Sequence, residues 1–215
     1  MSIDKFNECW GSIETWLNVS ANILFNSLNP PATANQLSEI ESYYQATLPA
    51  DFIALYQQHN GQDTSKVVNL FYGQQFLSIQ EGLSTHQGMV ADMIEYIKFS
   101  EFEFVSAEIS KDETSPLSKY PIAGGIDAYG VFIDFKPSEK GKYGQIVFLD
   151  FESLIAVKVA DSVTDMACVL SSGLKSGAYT LNTESHMEVG AWLDPPKKDD
   201  LANWRHYHQD NLPSE

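Results

Sequence analysis

Two runs of apolar, β-branched and aromatic residues constrain this chain more than any other feature: Tyr129-Gly130-Val131-Phe132-Ile133-Asp134-Phe135 and Gln145-Ile146-Val147-Phe148-Leu149-Asp150-Phe151. Side chains of these types favour a pleated, half-buried sheet. The stretch between the runs carries Pro137, Gly141 and Gly144, so the pair reads as a hairpin with a long loop. Residues 154–160 read as a third strand. Earlier in the chain, 67–72 and 75–79 read as strands around a turn at Gly73. Residues 102–105 and 178–181 are weaker strand candidates.

Ahead of the strands the pattern is helical. Phe6, Cys9, Trp10, Ile13, Trp16 and Leu17 recur at spacings of three and four, which places them on one helix face. Residues 18–29 read as a short helix with loops, ending at Pro30-Pro31. Thr33 followed by Gln36 forms a capping box that opens the next helix, with Leu37, Ile40, Tyr44 and Thr47 inward. Leu48-Pro49 ends it and Pro49 starts another, because proline restricts the residue before it yet suits a first helical turn. Phe52, Leu55, Tyr56 and His59 form the inner face of that third helix, and Asn60-Gly61 closes it. Residues 79–99 read as mostly helical, weakened by Gly82 and Gly88. Ser162 with Asp165 opens a last helix whose face is Val163, Met166, Ala167, Leu170 and Leu174.

Helices, then hairpin-linked strands interrupted by one helix, then a helix, indicate an α+β fold with a mainly antiparallel sheet. At 215 residues and 43% hydrophobic, the chain can bury a sizeable core. Residues 1–176 are expected to form the domain. Residues 177–215 are expected to form an extension that packs on it, through Trp192 and Trp204, and is loose at its end.

The formal net charge is −16, from 29 acidic and 13 basic residues. Such a field repels nucleic acid and anionic membranes and attracts basic partners; the alternative is that it serves solubility. The start, Met1-Ser2-Ile3-Asp4, lacks the basic and apolar regions of a secretory leader. No apolar run approaches the roughly 18 residues of a membrane span. A cytoplasmic location is expected, so the Asn18-Val19-Ser20 sequon carries no weight. Cys9 and Cys168, far apart in sequence, are expected to be reduced, mostly buried thiols.

Enzyme signatures are largely missing. The chain has no phosphate-binding G-x-x-x-x-G-K-[ST], no G-x-G-x-x-G, no G-x-S-x-G and no H-E-x-x-H. Gly124-Gly125 reads as a tight turn rather than a phosphate cradle, because Asp127 would oppose an anion. His186-Met187-Glu188 is half of a zinc deaminase signature without the P-C-x-x-C half. His206 and His208 make two potential ligands without a third, so no metal and no cofactor are expected. Asp134 and Asp150 occupy matching places in two paired strands and read as a chance pairing of carboxylates. Asp134 is expected to face solvent or end its strand.

The region 92–113 stands out. It holds Asp92, Glu95, Glu101, Glu103, Glu108, Asp112 and Glu113 against Lys98 and Lys111, a local charge of −5. Phe99, Phe102 and Phe104 interleave with these charges. Aromatic anchors with an acidic rim suit a basic protein partner; the competing reading is an amphipathic element with buried Phe and solvated Glu. The residues expected to touch a partner are Asp92, Glu95, Phe99, Glu101, Phe102, Glu103 and Glu108.

Several segments together resemble the SMI1/KNR4 (SUKH) family. Trp10-Gly11-Ser12-Ile13-Glu14-Thr15-Trp16-Leu17 is similar to the leading helix of its longer members. Leu28-Asn29-Pro30-Pro31, Leu48-Pro49-Ala50-Asp51-Phe52 and His59-Asn60-Gly61-Gln62 resemble its N-terminal signature. Phe71-Tyr72-Gly73, Phe76-Leu77-Ser78, Tyr120-Pro121-Ile122-Ala123-Gly124-Gly125 and Gly144-Gln145-Ile146-Val147 resemble its later segments. The resemblance covers roughly residues 6–175. Two departures stand out: Ser84-Thr85-His86 lies where the family often has a tryptophan, and the turn after Gly125 lacks a second glycine pair. The resemblance implies a central, mostly antiparallel, curved sheet packed by helices. It implies for bacterial members an immunity protein that neutralises a toxin, often a nuclease, by contact, and for fungal members a regulatory scaffold in cell-wall synthesis. It carries no catalytic residues. The expectation is therefore a non-enzymatic protein that binds a basic toxin or effector domain, the alternative being a scaffold for endogenous signalling or wall-synthesis proteins.

Overall fold

The computed structural model describes residues 3–65, 67–93, 98–124, 129–184 and 190–204. Helix α1, Ile3–Ser20, buries Phe6, Cys9, Trp10, Ile13 and Leu17, the stripe that its periodicity announces. A short α2, Asn22–Phe25, follows. In α3, Ala34–Tyr44, the capping box forms in both directions: Gln36 N–H donates to Thr33 Oγ1 at 3.3 Å, and Thr33 N–H donates to Gln36 Oε1 at 2.9 Å. Pro49 is the N-cap of α4, Ala50–Gln58, which buries Phe52, Leu55 and Tyr56. His59, not Asn60-Gly61, caps its C-terminus. Gly61 is required for another reason. Its φ is +75° and a Cβ there would stand 2.2 Å from the Ser78 backbone nitrogen.

The six-stranded sheet has the order β2-β4-β5-β6-β7-β3. Its strands are β2 Gln75–Phe76, β3 Phe104–Val105, β4 Lys119–Gly124, β5 Tyr129–Asp134, β6 Gln145–Asp150 and β7 Ile155–Ala160. All neighbours are antiparallel except β3, which runs parallel to β7. The expected hairpin is β5–β6, with Asp134 opposite Gln145 and Tyr129 opposite Asp150. The two expected strands around Gly73 do not pair as a hairpin. Phe71 and Gln74 close the turn by mutual backbone hydrogen bonds, but β1, Val67–Asn69, leaves for a second sheet.

That second sheet has the order β1-β9-β8, where β8 is Thr180–Glu184 and β9 is Gly190–Asp194. β9 pairs parallel with β1, Val68 opposite Ala191, so the chain beyond Ser176 returns to the N-terminal half. Trp204 is buried against Phe104, ring centroids 4.6 Å apart. Helix α5, Ile79–Met93, starts on a second capping box, Ser78 with Glu81. Helix α6, Val163–Ser176, is capped by Ser162 and also by the Asp51 carboxylate of α4, which accepts from Thr164 N–H at 2.8 Å and Oγ1–H at 3.0 Å. One apolar core fills the space between α1, α3, α4, α6 and the sheet, and a smaller one around Phe132, Val147 and Leu149 covers the opposite face.

Two expectations fail here. Cys9 and Cys168 are joined in a disulfide, their Cα atoms 5.0 Å apart. A separation of 159 residues hides that α1 and α6 lie side by side. Asp134 ends β5 as expected but is fully buried, in an ion pair with the equally buried Lys119 at 2.9 Å. Asp134 and Asp150 sit at opposite ends of the β5–β6 hairpin rather than at matching places. Asp150 instead turns the chain toward β7, accepting from Glu152 and Ser153 N–H.

Candidate functional site

The described residues of the acidic segment are spread over several elements. Asp92 lies in the last turn of α5, and Glu95 falls outside the described residues. Phe99 and Glu101 belong to a 3-10 turn, Phe99–Glu101. Glu101 and Glu103 are exposed. Phe102 is half-buried and packs edge-on against Phe151, centroids 6.1 Å apart, at the margin of the smaller core. Glu108 contributes its backbone carbonyl, which accepts from Ser138 N–H and Gln145 Nε2. The segment thus uses an aromatic ring to hold itself on the sheet, with Glu101 and Glu103 at the surface. His186, Glu188, His206, His208, Gly125 and Asp127 lie outside the described residues. Among the described residues no group of three or more His, Cys, Asp or Glu side chains could hold a metal ion.

A concavity lies elsewhere, where the C-terminal end of α3 meets α5 and the loops before β4 and after β5. It is an open groove of about 770 Å3. A ladder of rings lines it. Tyr143 lies 5.8 Å from Phe135, Phe135 lies 5.3 Å from Tyr44, Tyr44 lies 5.0 Å from His86, and His86 lies 5.5 Å from Tyr43, edge to face. The outer rungs are open to solvent: Tyr43 is 40% and Tyr143 49% exposed. Each phenol is anchored. Tyr143 Oη–H donates to the Thr47 carbonyl at 2.8 Å, and Tyr44 Oη–H donates to the Lys119 carbonyl at 3.3 Å.

His86 is the unusual member. It is only 3% exposed, and its Nδ1 is 3.2 Å from Tyr43 Oη. Its Nε2 is buried and has no hydrogen bond. Burial pushes the imidazole pKa down to about 4, the Leu117 backbone opposing it, so the ring is neutral at pH 7. Tyr43 Oη and the Leu117 backbone are the polar groups that act on this ring. Lys136 stands at the mouth, donating to Thr114 Oγ1 at 2.8 Å and pairing with Asp112 at 3.2 Å.

The sequence reading missed this groove. The adjacent tyrosines Tyr43-Tyr44 were one available signal, since a helix cannot bury two consecutive large rings on one face. His86, in place of an expected tryptophan, was the other.

The chain is similar to a glucan synthesis regulatory protein of Neurospora crassa, 21% identical over an alignment that covers 91% of this chain. The chain spans 44% of the length of that relative. The model of the SMI1/KNR4 family (SUKH-1) matches residues 31–167, from the approach to α3 into the first turns of α6. It takes in the ring ladder, the buried Lys119–Asp134 pair and the whole six-stranded sheet, and on that match this chain belongs to the SMI1/KNR4 family.

Proposed function

We propose that this chain acts by binding another protein, carries out no chemistry of its own, and takes a partner with a basic surface. The observation that carries this reading is the charge: 29 acidic residues against 13 basic ones, with Glu101, Glu103, Asp112 and Glu113 all exposed on one stretch of chain. A field of one sign steers an oppositely charged partner and raises its association rate. Among family-level roles, neutralisation of a toxin domain uses this property most directly, because an acidic protein can cover the substrate path of a basic nuclease. Regulation of endogenous enzymes is the second reading, favoured by the relative whose name places it in glucan synthesis.

The test starts from affinity capture in the native cells at low and high salt, with the partner identified by mass spectrometry. The purified pair is then followed by stopped-flow mixing. Glu101→Lys with Glu103→Lys is expected to slow association by about tenfold at low salt and to leave dissociation nearly unchanged. An association rate that is flat from low to high salt would remove the electrostatic basis of the proposal. Rescue of growth on co-expression with a toxic partner supports the first reading; a set of wall-synthesis proteins supports the second.

A further inference from the structure

The smaller sheet has an outer face that the acidic segment and the ring-lined groove do not share. Its registers place Asn69 of β1, Trp192 of β9 and Asn182 of β8 in one row across the strands. Successive residues of a strand face opposite sides. Val68, Ala191 and Leu193 are buried beneath the sheet, so the row points outward. We propose that this row binds a neutral, glucose-configured oligosaccharide, with one pyranose ring stacked on the Trp192 indole. The inference goes beyond the protein-binding reading and uses residues which that reading does not.

Three observations carry it. First, the indole is a fixed plate. Its Nε1–H donates to Asp194 Oδ1 at 3.0 Å, two residues ahead on the same strand. Asn182 Nδ2 donates to the other carboxylate oxygen and holds that acceptor in place. The far edge of the ring lies over Gly190, two residues behind, where a Cβ would stand 3.7 Å from Cζ3. The plate therefore extends along β9, and it is half-buried, so part of it stays open to solvent. A ring already held in place loses little rotamer freedom when a ligand arrives.

Second, acceptors flank the plate on both sides. Asn69 Nδ2 donates to the Gly73 carbonyl at 2.8 Å, and Asn182 Nδ2 is committed to Asp194. Both partners only accept, which fixes the orientation of each amide and leaves its Oδ1 to accept from a ligand. Neighbouring strands lie about 4.8 Å apart, so the two amides start about 10 Å apart, one on either side of the ring. A glucose-configured ring carries C–H groups on its faces and hydroxyls around its edge. It offers C–H groups to an aromatic face and O–H donors to acceptors beside that face, the order in which this row presents them. Third, the surroundings suit a neutral, extended ligand. Val67 stands opposite Gly190 and is 63% exposed, so apolar surface continues past the plate toward a second sugar unit. The net charge of −16 turns acidic glycans away.

The experiment uses the full chain labelled with nitrogen-15. The Trp192 indole N–H signal is assigned by its loss in Trp192→Phe. Cellohexaose and sorbitol are titrated at equal hydroxyl concentration. Cellohexaose is expected to shift the Trp192 indole signal and the Asn69 and Asn182 side-chain signals saturably. Sorbitol has the hydroxyls but no ring face, and is expected to leave them in place. Trp192→Ala, read on the asparagine signals, is expected to weaken binding by about tenfold or more. Asn182→Ala removes one acceptor and is expected to weaken it by about fivefold.

No saturable shift in the folded parent chain would overturn the proposal. An equal response to sorbitol would overturn it too, as would undiminished binding by Trp192→Ala. If Trp192→Ala melts far below the parent chain, Asn182→Ala decides, and unchanged affinity in that folded variant would sink the idea. Signals that move with protein concentration and not with sugar would give the face to a second copy and refute the glycan.

Discussion

Two buried polar centres lie next to each other in this protein and are built to opposite standards. At the first, Lys119 Nζ donates to the Ser115 carbonyl, Ser115 Oγ and Asp134 Oδ1, while the Asp134 carboxylate also accepts from Lys136 N–H and Gln145 Nε2. Every strong group there has a partner. At the second, His86 has only Tyr43 Oη and the Leu117 backbone as polar neighbours and is held mainly by aromatic rings. Tyr44 joins them, its hydroxyl reaching the Lys119 carbonyl and its ring lying on His86. A saturated centre fixes geometry: it locks the end of β5 to the start of β4 and to β6. The second is held by ring packing, and its burial keeps the imidazole neutral at pH 7.

The sharpest way to break the comparison is at the saturated centre. Asp134→Ala leaves the Lys119 ammonium buried and unpaired, and is expected to cost about 3–5 kcal/mol of stability by urea denaturation. Adding Lys119→Met should restore most of it. If the single variant lost no more than an exposed ion pair does, the centre would not be the structural pin described here.

Next in size is the disulfide between α1 and α6, which lies on neither centre. Cys9→Ser is expected to destabilise the chain by about 2–4 kcal/mol, because the bond constrains a long loop in the unfolded state. An unchanged urea midpoint for this variant would show that the bond adds nothing to what the α1–α6 packing already supplies. No described helix is long and apolar enough to cross a membrane.

The smallest effect sharpens the comparison by pH. His86 titrates near 4 when folded and near 6.5 when unfolded. Between those values the unfolded chain binds the proton and the folded chain does not. Stability is therefore lost as pH falls through that window, by about 2–3 kcal/mol down to pH 4.5. His86→Phe should lose this part of the pH dependence, which differential denaturation at pH 7 and pH 4.5 would reveal. Superimposable pH profiles for the two proteins would place the imidazole in contact with water.

What could be read in advance followed how local the cause was. The Thr33–Gln36 box, the α1 stripe and the β5–β6 hairpin depend on residues a few positions apart, and each formed as expected. The parallel pairing of β1 with β9 joins segments more than a hundred positions apart, and no local pattern encodes it. Phe102 was legible as an aromatic among acids, but its contact with Phe151 was not. The groove draws on α3, α5 and two loops, so Tyr43-Tyr44 and His86 were local signals whose meeting was not legible.

Local pattern alone determined that this is an α+β chain with a mainly antiparallel sheet, helices with defined caps and a strongly acidic surface, because periodicity, capping and charge are properties of neighbours. Only the tertiary structure decided that Asp134 is buried with Lys119, that Cys9 meets Cys168, and that His86 is buried beside Tyr43 and Tyr44. Each depends on which distant segment packs alongside, and that is set by how the whole core closes.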